Sequence, residues 1–154
     1  MAPTLYFLRS SESKIVKDMT QYAHPKSDNL NIYYDFYGLT TKDLGLYALV
    51  ENKIAGAIWS RRLGQEETPT LSLGILPEFR EKGIATAMME QFLLEAASQF
   101  TSLKVNTYNN EKSNKFYIKH GFTNIKGSNI MEKSFEKQEV VRPTDGYDPR
   151  RWMD

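Results

Sequence analysis

The stretch from Leu44 to Leu63, LGLYALVENKIAGAIWSRRL, constrains the fold more than any other part of the chain. Two apolar runs, LYALV and IAGAIWS, flank the polar triplet ENK, the pattern of two antiparallel strands joined by a tight turn. A third run, TLSLGIL (70–76), follows the linker GQEETP (64–69) and extends the hairpin into a meander. From Ile84 to about Ser98 the apolar residues recur at Ile84, Met88, Phe92 and Ala96, with Ala85, Met89 and Leu93 beside them. So wide a stripe predicts a helix buried against the sheet. The run LKVNTY (103–108) is a further strand, and its connection through that helix predicts a parallel pairing with the strand before it.

The remaining segments add edges to this frame. TLYFLR (4–9) is short, aromatic and aliphatic, and predicts a strand. Ser10 to Ser13 offer several N-caps for a helix running to about Tyr22. HPKSDN (24–29) is expected to be a surface loop carrying His24. LNIYYDFYGL (30–39) is ambiguous, with a short aromatic helix as one reading. A second amphipathic helix is expected from about Glu111 to His120, closed by Gly121 at C′ with Phe122 as its apolar partner. FTNI and NIMEKSF supply two short closing strands. The expected domain is residues 1–135. The polar, proline-punctuated segment 136–154 reads as a C-terminal tail that folds back, pairs with a second copy in a homodimer, or stays mobile.

Composition narrows the chemistry. The 154 residues suit one domain with a real core. A net charge of +1 gives no reason to expect a nucleic-acid partner. The chain has no cysteine, which rules out disulfides, thiolate metal sites and a cysteine nucleophile. With two histidines, His24 and His120, a histidine-rich metal site is not expected. No stretch reaches the roughly 20 apolar residues of a membrane span, and the amino terminus lacks a leader's apolar core. The expectation is a cytoplasmic protein without membrane contact.

Residues 80–85, REKGIA, join the third meander strand to the long helix. The first N–H groups of a helix are unpaired and its dipole adds partial positive charge, so an anion is favoured there. Gly83 permits positive φ, Ala85 keeps the first turn free of bulk, and Arg80 and Lys82 add charge. An ordinary loop with a solvated basic pair would use the same residues. Neither of the two common phosphate-loop patterns is present: Gly83 is followed by Ile84 and not by lysine, and Gly74 lies too far from Gly83.

This segment resembles the acyl-coenzyme A loop of the GNAT superfamily of N-acetyltransferases, whose pattern is Gln/Arg-x-x-Gly-x-Gly/Ala. Here it reads Arg80-Glu81-Lys82-Gly83-Ile84-Ala85, after LGILPEF, and the resemblance runs from Leu46 to about Phe135. It implies an α/β fold: a mixed, mostly antiparallel sheet with a splayed parallel strand pair, flanked by helices. It implies that the N–H groups of Arg80 to Ala85, extending to Thr86, bind the diphosphate of acetyl-CoA. The backbone of Leu73, Gly74 and Ile75 would then hold the pantetheine arm like an added strand. Gly74 in mid-strand fits a bulge, a close backbone approach or a packing glycine.

Asn110, Ser113 and Tyr117 are spaced i, i+3 and i+7, which puts them on one helix face. By themselves they read as a cap, a surface serine and a half-buried tyrosine. The resemblance implies more: Asn110 contacts the cofactor, with Ser113 beside it, and Tyr117 protonates the departing thiolate. A phenol near pKa 10 suits a thiolate of similar basicity. One residue more than the common spacing separates Val105 from this helix, so the strand exit is expected to bulge.

The family's usual general base is missing. Lys104, Val105 and Asn106 occupy one of its usual places, and Pro69 the other. Glu67 is the candidate base from the linker, and Asp35 a second. A water chain, or an amine already largely neutral, are the alternatives. The aromatic segment 30–39 is expected to wall the acceptor site or to serve as core. The expected activity is transfer of acetyl directly to a primary amine, on a small molecule or a peptide. The alternative is a non-catalytic acyl-CoA-binding sensor or scaffold.

Overall fold

The computed structural model describes residues 2–39 and 43–135; the expected tail, 136–154, lies outside the described residues. Ten elements run in chain order: β1 (Thr4–Phe7), α1 (Ser13–Ala23), β2 (Leu44–Val50), β3 (Lys53–Arg61), β4 (Thr70–Ile75), α2 (Ile84–Ala97), β5 (Ser102–Asn106), α3 (Glu111–Lys119), β6 (Thr123–Asn124) and β7 (Ile130–Ser134). The β2–β3 hairpin closes through Glu51 and Asn52, both at positive φ (49° and 67°). Two left-handed residues give the turn whose twist matches its strands.

The sheet has the order β1-β2-β3-β4-β5-β7-β6. Every neighbouring pair is antiparallel except β4 and β5, which are parallel, as the helical crossover predicted. Their register contains a single pair, Thr70 opposite Lys104, beyond which the strands part. This is the mixed, mostly antiparallel sheet with a splayed parallel pair and flanking helices expected from the sequence.

One face of the sheet packs on α2. Met88, Met89 and Phe92 are fully buried against Ile58, Leu71 and Leu103, with Tyr117 of α3 and Phe122 closing the end. Truncating such a side chain to alanine costs about 2–5 kcal/mol, so this layer fixes the helix rigidly. The other face carries α1 through Val16 and Met19, together with Tyr33, Tyr37, Ala57 and Trp59.

Two readings left open are resolved, and one expectation is corrected. The aromatic segment is not a continuous helix but one 3₁₀ turn, Asn31–Tyr33. Its carbonyls are taken by the sheet: Trp59 Nε1 donates to Tyr33 O at 3.0 Å, and Arg61 Nη1 donates to Asp35 O at 2.6 Å. Gly74 makes no bulge, since the β3–β4 register runs unbroken past it. The glycine admits α1 instead: a Cβ there would lie 2.5 Å from Met19 O. Finally, His24 is not in a surface loop. It follows α1 as its C-cap and is only 2% exposed.

Candidate active site

The parting of β4 from β5 creates the site. Along a strand, successive peptide groups point to opposite edges. Lys104 N–H donates to Pro69 O (3.1 Å) on the β5 side, and Leu76 N–H donates to Ala55 O (2.9 Å) on the β3 side. Odd-numbered residues of β4 therefore direct their N–H and C=O toward β5, and even-numbered residues toward β3. Past the one registered pair, Leu73 and Ile75 present backbone groups to an opened edge. Gly74 does not: it faces Ala57 in the β3 ladder. Of the three residues expected to hold an added strand, two are placed to do so.

At the end of β4 the chain makes a 3₁₀ turn (Pro77–Phe79) and enters α2. Arg80 Nε donates to Ile75 O at 3.3 Å, tying the loop to the strand it leaves. Glu81 and Gly83 both take positive φ (60° and 80°), which curls the loop around the helix start. The first helical bond there is Ala87 N–H to Gly83 O, 3.1 Å. Ahead of it, the N–H groups of Ile84, Ala85 and Thr86 have no acceptor one turn back among the described residues. The first turn of α2 carries no acidic side chain to compensate them. A Cβ on Gly83 would meet nothing within 4 Å, so its place is set by positive φ and by open space above the loop. These are the conditions for holding an anion.

A cleft of about 690 Å³ runs from this loop to the end of α1. Arg80, Glu81, Gly83, Ala85 and Thr86 line it, with Leu71, Leu73, Ile75 and Val105 as apolar wall. Lys82 and Ile84 do not line it; Lys82 is exposed and the Ile84 side chain is 2% exposed in the core, leaving only its N–H facing outward. Asn110, Ser113 and Tyr117 all face the cleft, as their spacing predicted. Asn110 is the N-cap of α3, its Oδ1 accepting from Ser113 N–H at 3.0 Å, which leaves its amide NH₂ free to serve a ligand. Beyond β5 the chain turns sharply, with Tyr108 and Asn109 at positive φ (52° and 57°), where the surplus residue predicted an irregular exit.

Tyr117 sits between the rings of Phe116 and Phe122, each 5.3 Å away, and is 6% exposed. Burial pushes its hydroxyl well above the usual tyrosine range. Burial thus makes the phenol a weaker acid than the free side chain, so its match to a thiolate is poorer than an unperturbed tyrosine would give.

The candidate bases are not in the cleft. Glu67 is 86% exposed and forms a surface ion pair with Arg62 at 3.7 Å. Glu66 is paired with Lys104. Asp35 is exposed, and its carbonyl, not its carboxylate, is engaged. Among the described cleft residues the only carboxylate is Glu81, on the loop between β4 and α2, with Lys112 of α3 3.4 Å away.

What sequence reasoning missed lies at the other end of the cleft. His24 Nδ1 is 2.7 Å from the Tyr108 hydroxyl, and Nε2 is 2.6 Å from Ser72 Oγ. The imidazole stacks on Tyr33, ring centroids 3.6 Å apart and planes 11° from parallel. Burial depresses His24 to about 4, so it is neutral near pH 7. Burial, then Tyr33, raises the Tyr108 hydroxyl. His24, Ser72 and Tyr108 all line the cleft. Their separation along the chain left no local pattern to find.

Comparisons with known proteins agree with this geometry. The family model described as an acetyltransferase (GNAT) domain matches residues 42–124. No curated protein matches the sequence. Among solved structures, the ribosomal-protein-S18-alanine N-acetyltransferase of Escherichia coli superposes with a TM-score of 0.65 at 15% identity, covering 87% of this chain and 94% of that one. A GNAT family acetyltransferase from Elizabethkingia anophelis with acetyl-CoA bound gives 0.64 at 17% identity, covering 86% and 98%. The PaiA N-acetyltransferase of Thermoplasma acidophilum in complex with coenzyme A gives 0.60 at 16%, covering 88% and 100%. At such identities the superpositions speak for the fold. With the family match spanning more than half of its residues, the chain belongs to the GNAT acetyltransferase domain family.

Proposed function

We propose that the protein is an N-acetyltransferase that carries acetyl from acetyl-CoA directly to a primary amine within a ternary complex. The observation that carries this reading is the continuity of the opened β4 edge with the unpaired amides at the start of α2. An extended pantetheine arm pairs with Leu73 and Ile75, and its diphosphate then falls on the N–H groups of Ile84, Ala85 and Thr86 beside Arg80. The thioester carbonyl accepts from Ile75 N–H, which polarises it for attack. The amine nitrogen adds to the carbonyl carbon, the carbon–sulfur bond breaks, and Tyr117 protonates the sulfur. With no cysteine in the sequence, an acyl-cysteine intermediate has no place in this route.

The absence of a carboxylate from the acceptor end of the described cleft favours a second reading, a non-catalytic acyl-CoA sensor. Two measurements separate them. Calorimetry with acetyl-CoA is expected to give saturable heat under both. Thiol release monitored with spermidine, lysine methyl ester, tryptamine and an alanyl dipeptide is expected only for the enzyme. Heat without thiol release selects the sensor. No heat at millimolar acetyl-CoA rejects both.

A further inference from the structure

Amide formation releases a proton from the attacking nitrogen, and the acceptor end of the cleft offers no carboxylate to take it. It offers a neutral imidazole. We propose that the Tyr108 hydroxyl, fixed by His24, receives the amine's proton as the nitrogen–carbon bond forms and passes its own proton to His24 Nδ1. This inference rests on the acetyltransferase reading and assigns the proton path that reading leaves open.

Three features build the path. First, Tyr108 is held where a side chain has reason to be expensive. Its φ of 52° is left-handed, a conformation that costs a non-glycine residue and persists when its surroundings enforce it. Here its own N–H donates to Asn106 Oδ1 at 2.8 Å, and its hydroxyl is bound 2.7 Å from His24. Second, His24 has one partner on each ring nitrogen. With Nε2–H donating to Ser72 Oγ, Nδ1 carries the lone pair toward the Tyr108 hydroxyl. Third, the Tyr33 ring lies flat against the imidazole at 3.6 Å. That stacking fixes the plane of the imidazole, so that Nδ1 stays directed at the Tyr108 hydroxyl.

The step balances without any further reactant. The amine lone pair forms the new carbon–nitrogen bond, and the amine N–H proton goes to the Tyr108 oxygen. The Tyr108 proton goes to His24 Nδ1, which becomes imidazolium and returns its proton to solvent through Tyr108 once the product has left. The electron pair of the carbon–sulfur bond leaves on sulfur, which takes its proton separately from Tyr117. Tyr108 touches the substrate and is the catalytic residue of this step. His24 acts through it, and Ser72 positions His24.

The test uses the full chain, the amine that turns over fastest among spermidine, lysine methyl ester, tryptamine and the alanyl dipeptide, and three variants. Tyr108→Phe keeps the ring and loses the relay. His24→Gln keeps hydrogen-bonding groups but cannot accept a proton. The third variant combines them. Each single change is expected to lower kcat by about 10²-fold, the low end for general acid–base groups. The Kd for acetyl-CoA is expected to stay within about twofold, because none of the residues proposed to hold the cofactor is changed. The double variant is expected to fall no further than the worse single, since both residues serve one path. Singles that turn over at the wild-type rate, or a double whose loss is the product of the two singles, overturn the relay and leave the acetyltransferase reading standing. A wild type that binds acetyl-CoA yet releases no thiol with any of these amines overturns both.

Discussion

Replacing Gly74 with alanine separates two explanations of why a glycine stands in the middle of β4. The structure assigns it to α1: the new methyl carbon would lie 2.5 Å from Met19 O and 3.2 Å from Ala23 N. A carbon–oxygen contact relaxes at about 3.3 Å, so α1 must retreat by roughly 0.8 Å. Both obstacles are backbone, and no rotamer change relieves them. Forced overpacking of this kind costs about 1–3 kcal/mol, and at about 2–4 °C per kcal/mol for a chain of this size the Tm falls by about 2–12 °C. The same retreat drags His24, one residue beyond α1, off hydroxyls that sit 2.6 and 2.7 Å away. Turnover should therefore fall as well. The β4–α2 loop and α3, proposed to hold acetyl-CoA, lie elsewhere, and Gly74 directs its peptide groups into the β3 ladder, so the Kd for acetyl-CoA should hold within about twofold. Scanning fluorimetry and calorimetry on the one variant measure both quantities. A weakened Kd at an unchanged Tm would refute the reasoning and return Gly74 to the cofactor.

Further outcomes are expected elsewhere. Tyr117→Phe preserves the packing between Phe116 and Phe122, so it should cut turnover by about 10²-fold with acetyl-CoA affinity almost intact; equal loss of both would reject the proton-donor role. Asp43→Ala strips the partner, 3.0 Å away, from an Arg61 side chain that is 10% exposed, and should cost about 3–5 kcal/mol in urea unfolding. Arg61→Met combined with Asp43→Leu should recover most of that loss. Acid stability should follow His24, which burial holds at about 4 against 6.5 for the free side chain. Between those values the unfolded chain binds the extra proton, so stability is complete above about pH 6.5 and declines as pH falls toward 4, by up to about 3 kcal/mol. Urea midpoints at pH 7, 5.5 and 4 should fall more steeply for the wild type than for His24→Gln.

The parts of this molecule that were legible in its sequence are those written in local spacing. The β2–β3 hairpin, the broad apolar stripe of α2 and the i, i+3, i+7 face of α3 each sit within one element, and each lies where periodicity placed it. The glycine turn between β4 and α2 was legible because a short apolar strand run meets a broad helical stripe there; a role in holding an anion came only with the family resemblance. The aromatic segment stayed ambiguous because its backbone is organised by Trp59 and Arg61, which reach it from a strand more than 20 residues away. Gly74 was ambiguous for a similar reason, since the helix pressing on it begins near the start of the chain. His24 was assigned to the surface because a polar residue between a helix and a proline ordinarily is exposed. Its burial depends on Ser72 and Tyr108, 48 and 84 residues on, to satisfy its two nitrogens.

The divergence of β4 from β5 has a consequence for strand pairing as well. Unpaired strand amides on a protein's perimeter invite stray polypeptides, and most sheets guard such borders with charge, bulges or brevity. Here the unfilled ladder lies in the interior of a seven-stranded order, flanked by strands on both sides, so a passing chain must thread a gap to reach it. A slender, flexible tether can enter where a polypeptide with side chains at every residue meets both walls. On the proposed reading, preference for an acyl carrier's tether over a peptide begins with the width of this interrupted seam, before any side chain is consulted.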